Sequence, residues 1–261
     1  MNAIMKSTLI ILGCLTVAVG GFSQNQQEPK PELSEFYEPV PKTVTAGEKP
    51  SDAPSDAIVL FNGKNLDEWI SPKEPSGPAK WTLADGIITV KKGTGPIQTK
   101  RSFTDYQLHI EWRIPSNITG SGQARGNSGV FLASTGDGDT GYEIQVLDCY
   151  NNKTYVNGQT GSIYKQSIPL ANACKKPGEW QTYDIVWTAP RFNDDGSVKT
   201  PARVTAIHNG VLIQNNVEVK GVTVYRGTPY YKKHGPSPIK LQDHGDPSEP
   251  ISYRNIWVRE L

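Results

Sequence analysis

Three segments of the chain carry titratable and hydrogen-bonding side chains at every second position. Between Tyr106 and Arg113, Gln107, His109, Glu111 and Arg113 alternate with Leu108, Ile110 and Trp112. Between Tyr142 and Asp148, Glu143 and Gln145 alternate with Ile144 and Val146, and between Pro238 and His244, Lys240, Gln242 and His244 alternate with Ile239 and Leu241. Period two is the signature of a β-strand, which turns the apolar series into the core and the polar series to the opposite face. An ordinary antiparallel sheet with one solvated face has the same pattern, so no single residue marks a site. The combination says more: carboxylates, an arginine, a histidine and side-chain amides on separate strands can move protons and recognise hydroxyls side by side. Such a set suits a concave sugar site if the strands are neighbours.

The rest of the chain supplies strands to hold them. Residues 1–23 carry Lys6, an apolar run from Leu9 to Val19 and small residues at Gly20, Gly21 and Ser23, and read as a secretory signal peptide. Anchoring as a lipoprotein through Cys14 is the lesser alternative, and no segment is long and apolar enough for an integral membrane span. Residues 24–56, rich in Pro, Glu, Lys and Ser, read as a linker or arm. From residue 57 to 261, short alternating segments recur between Gly, Asn, Asp and Pro clusters, as in one all-β domain. The segments 58–61, 81–83, 87–90, 106–114, 128–132, 142–147, 181–187, 203–208, 211–217, 239–243 and 251–258 read as strands. His208-Asn209-Gly210-Val211 predicts a tight hairpin, because Asn-Gly readily takes positive φ. No sustained helical period interrupts the series, so a two-sheet antiparallel jelly-roll sandwich is expected.

Composition narrows the partners. With 27 basic and 26 acidic residues the net charge is +1, which gives no reason to expect nucleic acid or an anionic membrane surface, and a small neutral carbohydrate fits better. Cys149 and Cys174 can pair across the intervening loop in an oxidising compartment or stay as two buried thiols.

Seven strings in one order carry a resemblance: Leu60-Phe61-Asn62-Gly63-Lys64-Asn65-Leu66 with Trp69, Gly126-Asn127-Ser128-Gly129-Val130-Phe131-Leu132, Tyr142-Glu143-Ile144-Gln145-Val146-Leu147-Asp148, Gly161-Ser162-Ile163-Tyr164, Lys176-Pro177-Gly178-Glu179-Trp180, Ile239-Lys240-Leu241-Gln242-Asp243-His244-Gly245, and Tyr253-Arg254-Asn255-Ile256-Trp257. Over residues 57–261 the chain resembles the 3-keto-disaccharide hydrolase family, also described as 3-keto-glucoside 1,2-lyases and 3-keto-2-hydroxyglucal hydratases. The resemblance implies a concanavalin A-like jelly roll, export to the periplasm or beyond, and a 3-keto glycoside as substrate.

Such chemistry needs a base near C2, donors at the C3 oxygen and an acid near the glycosidic oxygen. Imidazole titrates near neutrality, which makes His244 the first candidate for a proton shuttle. Glu143 follows as base or as ligand of a divalent metal, with Glu111 and Asp148 behind it. Arg113 and Arg254 are candidates for enolate or hydroxyl binding; Asn127, Gln145 and Gln242 for hydroxyl recognition; and Tyr164 and Trp180 for ring stacking. A divalent metal is the one cofactor these residues leave open, with Glu111, Glu143, Asp148 and His244 as its ligands. Two rival readings remain: an ordinary retaining glycosidase using Glu143 and Asp148, for which spacing five has the wrong strand parity without a bulge, and a non-catalytic carbohydrate-binding module.

Overall fold

A computed structural model describes residues 30–72 and 74–261, so the signal-peptide reading of residues 1–23 lies outside the described residues. Among them, no helix is long and apolar enough to cross a membrane. The chain divides into a unit ending at Thr43, whose described residues hold one 3₁₀ turn at Pro31–Ser34, and a unit from Val44 to Leu261.

The second unit contains strands β1 (Ile58–Phe61), β2 (Trp69–Ser71), β3 (Glu74–Pro78), β4 (Thr82–Ala84), β5 (Ile87–Thr89), β6 (Ile97–Thr99), β7 (Tyr106–Arg113), β8 (Ser128–Ser134), β9 (Gly141–Val146), β10 (Trp180–Thr188), β11 (Arg191–Phe192), β12 (Val198–Thr200), β13 (Arg203–His208), β14 (Val211–Glu218), β15 (Lys240–Leu241) and β16 (Ser252–Glu260). An eight-stranded sheet runs β14-β13-β10-β7-β16-β5-β4 with β1 also on β16, and a six-stranded sheet runs β3-β2-β6-β15-β8-β9. Every described pairing is antiparallel, and the two sheets form the expected jelly-roll sandwich. The Asn-Gly hairpin is present: Asn209 and Gly210 have φ of 51° and 82°, and His208 pairs with Val211. The strands that sequence reading left out, β2, β3, β6, β11 and β12, have at most five residues, too short to show a period.

The core lies between the sheets. Tyr106, Leu108, Ile110 and Trp112 of β7 face Val130, Leu132, Ile144, Val146 and Leu241 of the six-stranded sheet, all at most 1% exposed. Burying a tyrosine hydroxyl is tolerable only with a partner, and three hydroxyls of the larger sheet find theirs across the core. Tyr106 Oη donates to the Leu132 carbonyl at 2.6 Å, Tyr183 Oη to the Gln145 carbonyl at 2.7 Å, and Tyr253 Oη shares a 2.8 Å bond with Ser128 Oγ. These bonds fix β8 and β9 from behind.

The segment from Val44, read from composition as part of an arm, runs along the outer face of the eight-stranded sheet. Its Ser51 carbonyl accepts bonds from Asn255 Nδ2 at 2.8 Å and Trp257 Nε1 at 3.0 Å, and Asp56 pairs with Arg259 at 2.9 Å. Cys149 and Cys174 form a disulfide with 5.9 Å between Cα atoms, closing the loop that carries Tyr155 and Tyr164. Removing it with Cys149→Ser/Cys174→Ser is expected to lower unfolding free energy by about 2–4 kcal/mol, read as a lower midpoint in urea titration; an unchanged midpoint would refute that role.

Candidate active site

The outer face of the six-stranded sheet carries the cleft. On β9, Ile144 and Val146 go inward, so Glu143 and Gln145 project outward. Phe131 on β8 lies opposite both Glu143 and Lys240, and Gln242 donates its backbone N–H to the Gly129 carbonyl at 3.0 Å. Asn127, Glu143, Gln145, Gln242 and His244 thereby line one cleft of about 210 Å³ with Asp139, Tyr164, Thr223 and Tyr225.

A bare edge at β9 would expose unpaired backbone groups, and two loops cover it. Tyr164 N–H donates to the Glu143 carbonyl at 3.2 Å, Gly161 N–H to the Gln145 carbonyl at 2.9 Å, and Gln145 N–H to the Ser162 carbonyl at 3.0 Å. On the same edge the Glu143 N–H donates to Thr223 Oγ1 at 3.1 Å, and Thr223 N–H to the Gly141 carbonyl at 2.7 Å. Covering the edge is what brings Tyr164 and Thr223 to Glu143.

Glu143 is 5% exposed, and its carboxyl makes no hydrogen bond among the described residues. It lies over the backbone of Gly129, where a Cβ would stand 2.4 Å from Glu143 Oε1. Burial pushes the carboxyl up to about 8; the Asp139 charge adds to the rise and the Lys240 ammonium offsets part of it. Lys240 is itself fully buried, with Nζ 4.5 Å from the Phe131 ring centre and donating to the carbonyls of Gly138 and Thr140. Burial draws it down to about 8, against the opposing pull of Asp139, Glu143 and Asp137.

A relay of amides orients His244. Gln145 Nε2 donates to Asn127 Oδ1 at 2.8 Å, and Asn127 Nδ2 lies 2.8 Å from the Gln123 carbonyl and 3.3 Å from His244 Nε2. Because Asn127 Nδ2 can only donate, the neutral ring places its lone pair on Nε2 and its proton on Nδ1, 3.6 Å from Asp246 Oδ2. Burial would raise Asp246, but bonds from His244 and Ser248 hold it below its ordinary value. Among the described residues, Gln145 Oε1 and Gln242 Oε1 are buried acceptors without a hydrogen-bond partner, and Gln242 forms no side-chain hydrogen bond at all. An unpartnered amide oxygen can accept from a sugar hydroxyl, and the Gln242 amide nitrogen can donate to a sugar oxygen.

Five of the sequence-nominated residues stand elsewhere. Glu111, Arg113 and Arg254 lie on the outer face of the eight-stranded sheet, because alternation places them opposite that sheet's core residues Ile110, Trp112 and Tyr253. There Arg254 Nε donates to Glu111 Oε2 at 2.6 Å, and the guanidiniums of Arg113 and Arg254 sit 4.6 and 4.1 Å from the Trp180 ring, which removes Trp180 from the cleft as well. Asp148 is a structural anchor: it accepts from Arg125 Nε at 2.6 Å and from the Tyr150 N–H at 3.0 Å at the base of the disulfide loop. The expected metal set of Glu111, Glu143, Asp148 and His244 is therefore not gathered, and among the described residues no three or more His, Cys, Asp and Glu side chains are grouped to hold an ion. Sequence reading missed Asp139, Thr223 and Tyr225, which lie on loops without periodicity, and Gly129, whose missing Cβ only matters once β9 is paired.

An amide-lined cleft on a jelly-roll sheet, with a buried carboxyl and a histidine both in its wall, has the make-up of a carbohydrate-active enzyme. Residues 56–259 match the 3-keto-alpha-glucoside-1,2-lyase-like domain, and the chain belongs to that family. A 3-keto-disaccharide hydrolase of Bacteroides thetaiotaomicron is 26% identical over 209 residues, 68% of each chain. A Parabacteroides distasonis protein classed provisionally as a glycosyl hydrolase has a crystal structure that superposes with a TM-score of 0.82 at 59% identity, covering 89% of this chain and 97% of the other. A second such protein from the same organism superposes with a TM-score of 0.54 at 26% identity over 78% and 99% of the chains. The protein is a glycoside-acting enzyme of this family. Gly129→Ala should fold normally, since the group its methyl meets is the end of a flexible side chain, yet lose on the order of 10²-fold in sugar-cleaving activity through displacement of the Glu143 carboxyl. Full activity in a variant with unchanged circular dichroism would contradict that placement.

Proposed function

We propose that the protein cleaves 3-keto glycosides outside the cytoplasm by elimination across C1 and C2 followed by hydration. The observation that supports this reading is the Glu143 carboxyl, held protonated at neutral pH in the cleft that His244 also faces.

A ketone at C3 acidifies the hydrogen at C2. Substrate displaces the 3.3 Å contact between Asn127 Nδ2 and His244 Nε2, Nε2 removes that proton, and the enolate expels the C1 substituent. Glu143 gives its proton to the departing glycosidic oxygen, leaving an alcohol and a 3-keto-2-hydroxyglucal. In the second half water adds at C1, its proton goes to the Glu143 carboxylate, and protonated His244 returns a proton to C2. The sum is hydrolysis, and both side chains end as they began. Gln242 Nε2, which makes no hydrogen bond among the described residues, donates to the C3 oxygen as negative charge develops there. Direct attack by a Glu143 and Asp148 pair is not supported, because Asp148 is bonded to Arg125.

Two experiments test this. Glucose release from 3-keto-trehalose with none from unoxidised trehalose is the expected outcome, and Glu143→Gln should lower it by about 10²–10⁴-fold; release from plain trehalose would refute the enolate route. The pH profile gives a second check. Glu143 must be protonated in the free enzyme, so kcat/KM should fall as pH rises through about 8. Asp139→Asn removes a charge that raises this carboxyl and should move the falling limb to lower pH, whereas movement to higher pH would overturn the assignment.

A further inference from the structure

The cleft has two chemically different walls with Glu143 between them. Sheet order puts Gln242 and His244, which follow β15, and Asn127, which precedes β8, on one side of β9. Tyr164 and Tyr225 stand on the other, on the two loops that cover the β9 edge. Tyr225 is 65% exposed and nonetheless held. Lys165 Nζ donates to the Tyr225 carbonyl at 2.7 Å and sits 4.0 Å from its ring centre, while also lying 5.7 Å from the Tyr164 ring and 5.6 Å from the Tyr155 ring. Tyr155 and Tyr164 share a hydroxyl bond of 2.5 Å. The Lys165 backbone takes φ of 58° and its N–H donates to the Asn157 carbonyl at 2.7 Å, so the residue that reaches across to the second loop is itself held by the first.

An ammonium at the centre of three rings is a cation–π cluster that joins two loops. It leaves a rigid, largely solvated ring at the cleft mouth, the kind of surface that offers contact area at little cost in side-chain entropy. If His244 serves C2 of the oxidised ring, that ring lies against the amide wall, and the group leaving C1 lies beyond Glu143. We infer that Tyr225, pinned by the Lys165 ammonium that also lies near Tyr164, is the platform on which the leaving group stacks, so that the enzyme selects substrates whose aglycone is a pyranose or another flat-faced ring. This rests on the proposed function; the platform itself is a specificity-determining surface that takes no part in proton transfer.

Tyr225→Ala is tested with two substrates, 3-keto-trehalose and methyl 3-keto-α-glucoside, which has no ring on the leaving side. KM for the disaccharide should rise on the order of ten-fold with kcat held within about two-fold, KM for the methyl glycoside should not move, and Tyr225→Phe should restore the parent values. Lys165→Met should give a smaller rise for the disaccharide alone. Equal change for both substrates, or for neither, overturns the inference. Unoxidised trehalose, titrated against parent and Tyr225→Ala protein by isothermal calorimetry, separates this from the chemistry: weaker binding to the variant sustains the platform even if no keto sugar is cleaved, and equal binding overturns it.

Discussion

The site depends on a carboxyl group lying where water scarcely reaches it. Taking a carboxylate out of water without a partner is so unfavourable that the group keeps its proton instead, and that is the state of Glu143 in the cleft. The position exists because the residue under it is glycine: Gly129 presents bare backbone where a side chain would collide with the acid. Asp139 and Lys240 then act on Glu143 in opposite senses, so the poise of the group reflects one loop and one neighbouring strand as well as its own burial.

A buried acid on an edge strand calls for a rigid strand. Two loops complete the backbone hydrogen bonds of β9, and tyrosine hydroxyls from the opposite sheet reach through the core to the backbone of Leu132 and Gln145 and to Ser128. The larger sheet thus supports the smaller one from behind. Its own outer face carries a separate charged network. There His109 lies 2.7 Å from Asp184 and 3.7 Å from Glu111, and although burial opposes its charge, the two carboxylates hold it up at about 9. Burial likewise opposes the Glu111 charge, but His109, Asn255 and Arg254 hold it down at about 2. Glu111 and Glu143 are both carboxylic acids on strands with the same alternation, displaced in opposite directions: His109, Asn255 and Arg254 overcome burial at one, while at the other burial dominates, Asp139 adds to it, Lys240 only partly offsets it, and no hydrogen-bond donor reaches the carboxyl among the described residues.

Alternation along the chain was enough to tell which residues of β7 and β9 face the core between the sheets and which face the other way, because side-chain direction in a strand is fixed by parity alone. The sandwich class, the Asn-Gly hairpin and the outward direction of Glu143 and Gln145 on β9 all follow from local sequence, whereas Gln242 and His244 lie beyond the end of β15, where parity no longer holds. Parity says nothing about which strands are neighbours. Glu111 and Arg113 have the same pattern as Glu143 and Gln145, and only the strand order, with β7 in one sheet and β9 in the other, places them on opposite faces of the protein. The same limit explains Asp148, whose bond to Arg125 joins residues 23 positions apart in the chain, and Tyr225, which reaches the cleft because its loop covers a strand edge far from it in sequence. Local periodicity determined the fold class and the direction of each side chain; hydrogen bonds and packing between distant segments decided which of those side chains share one site.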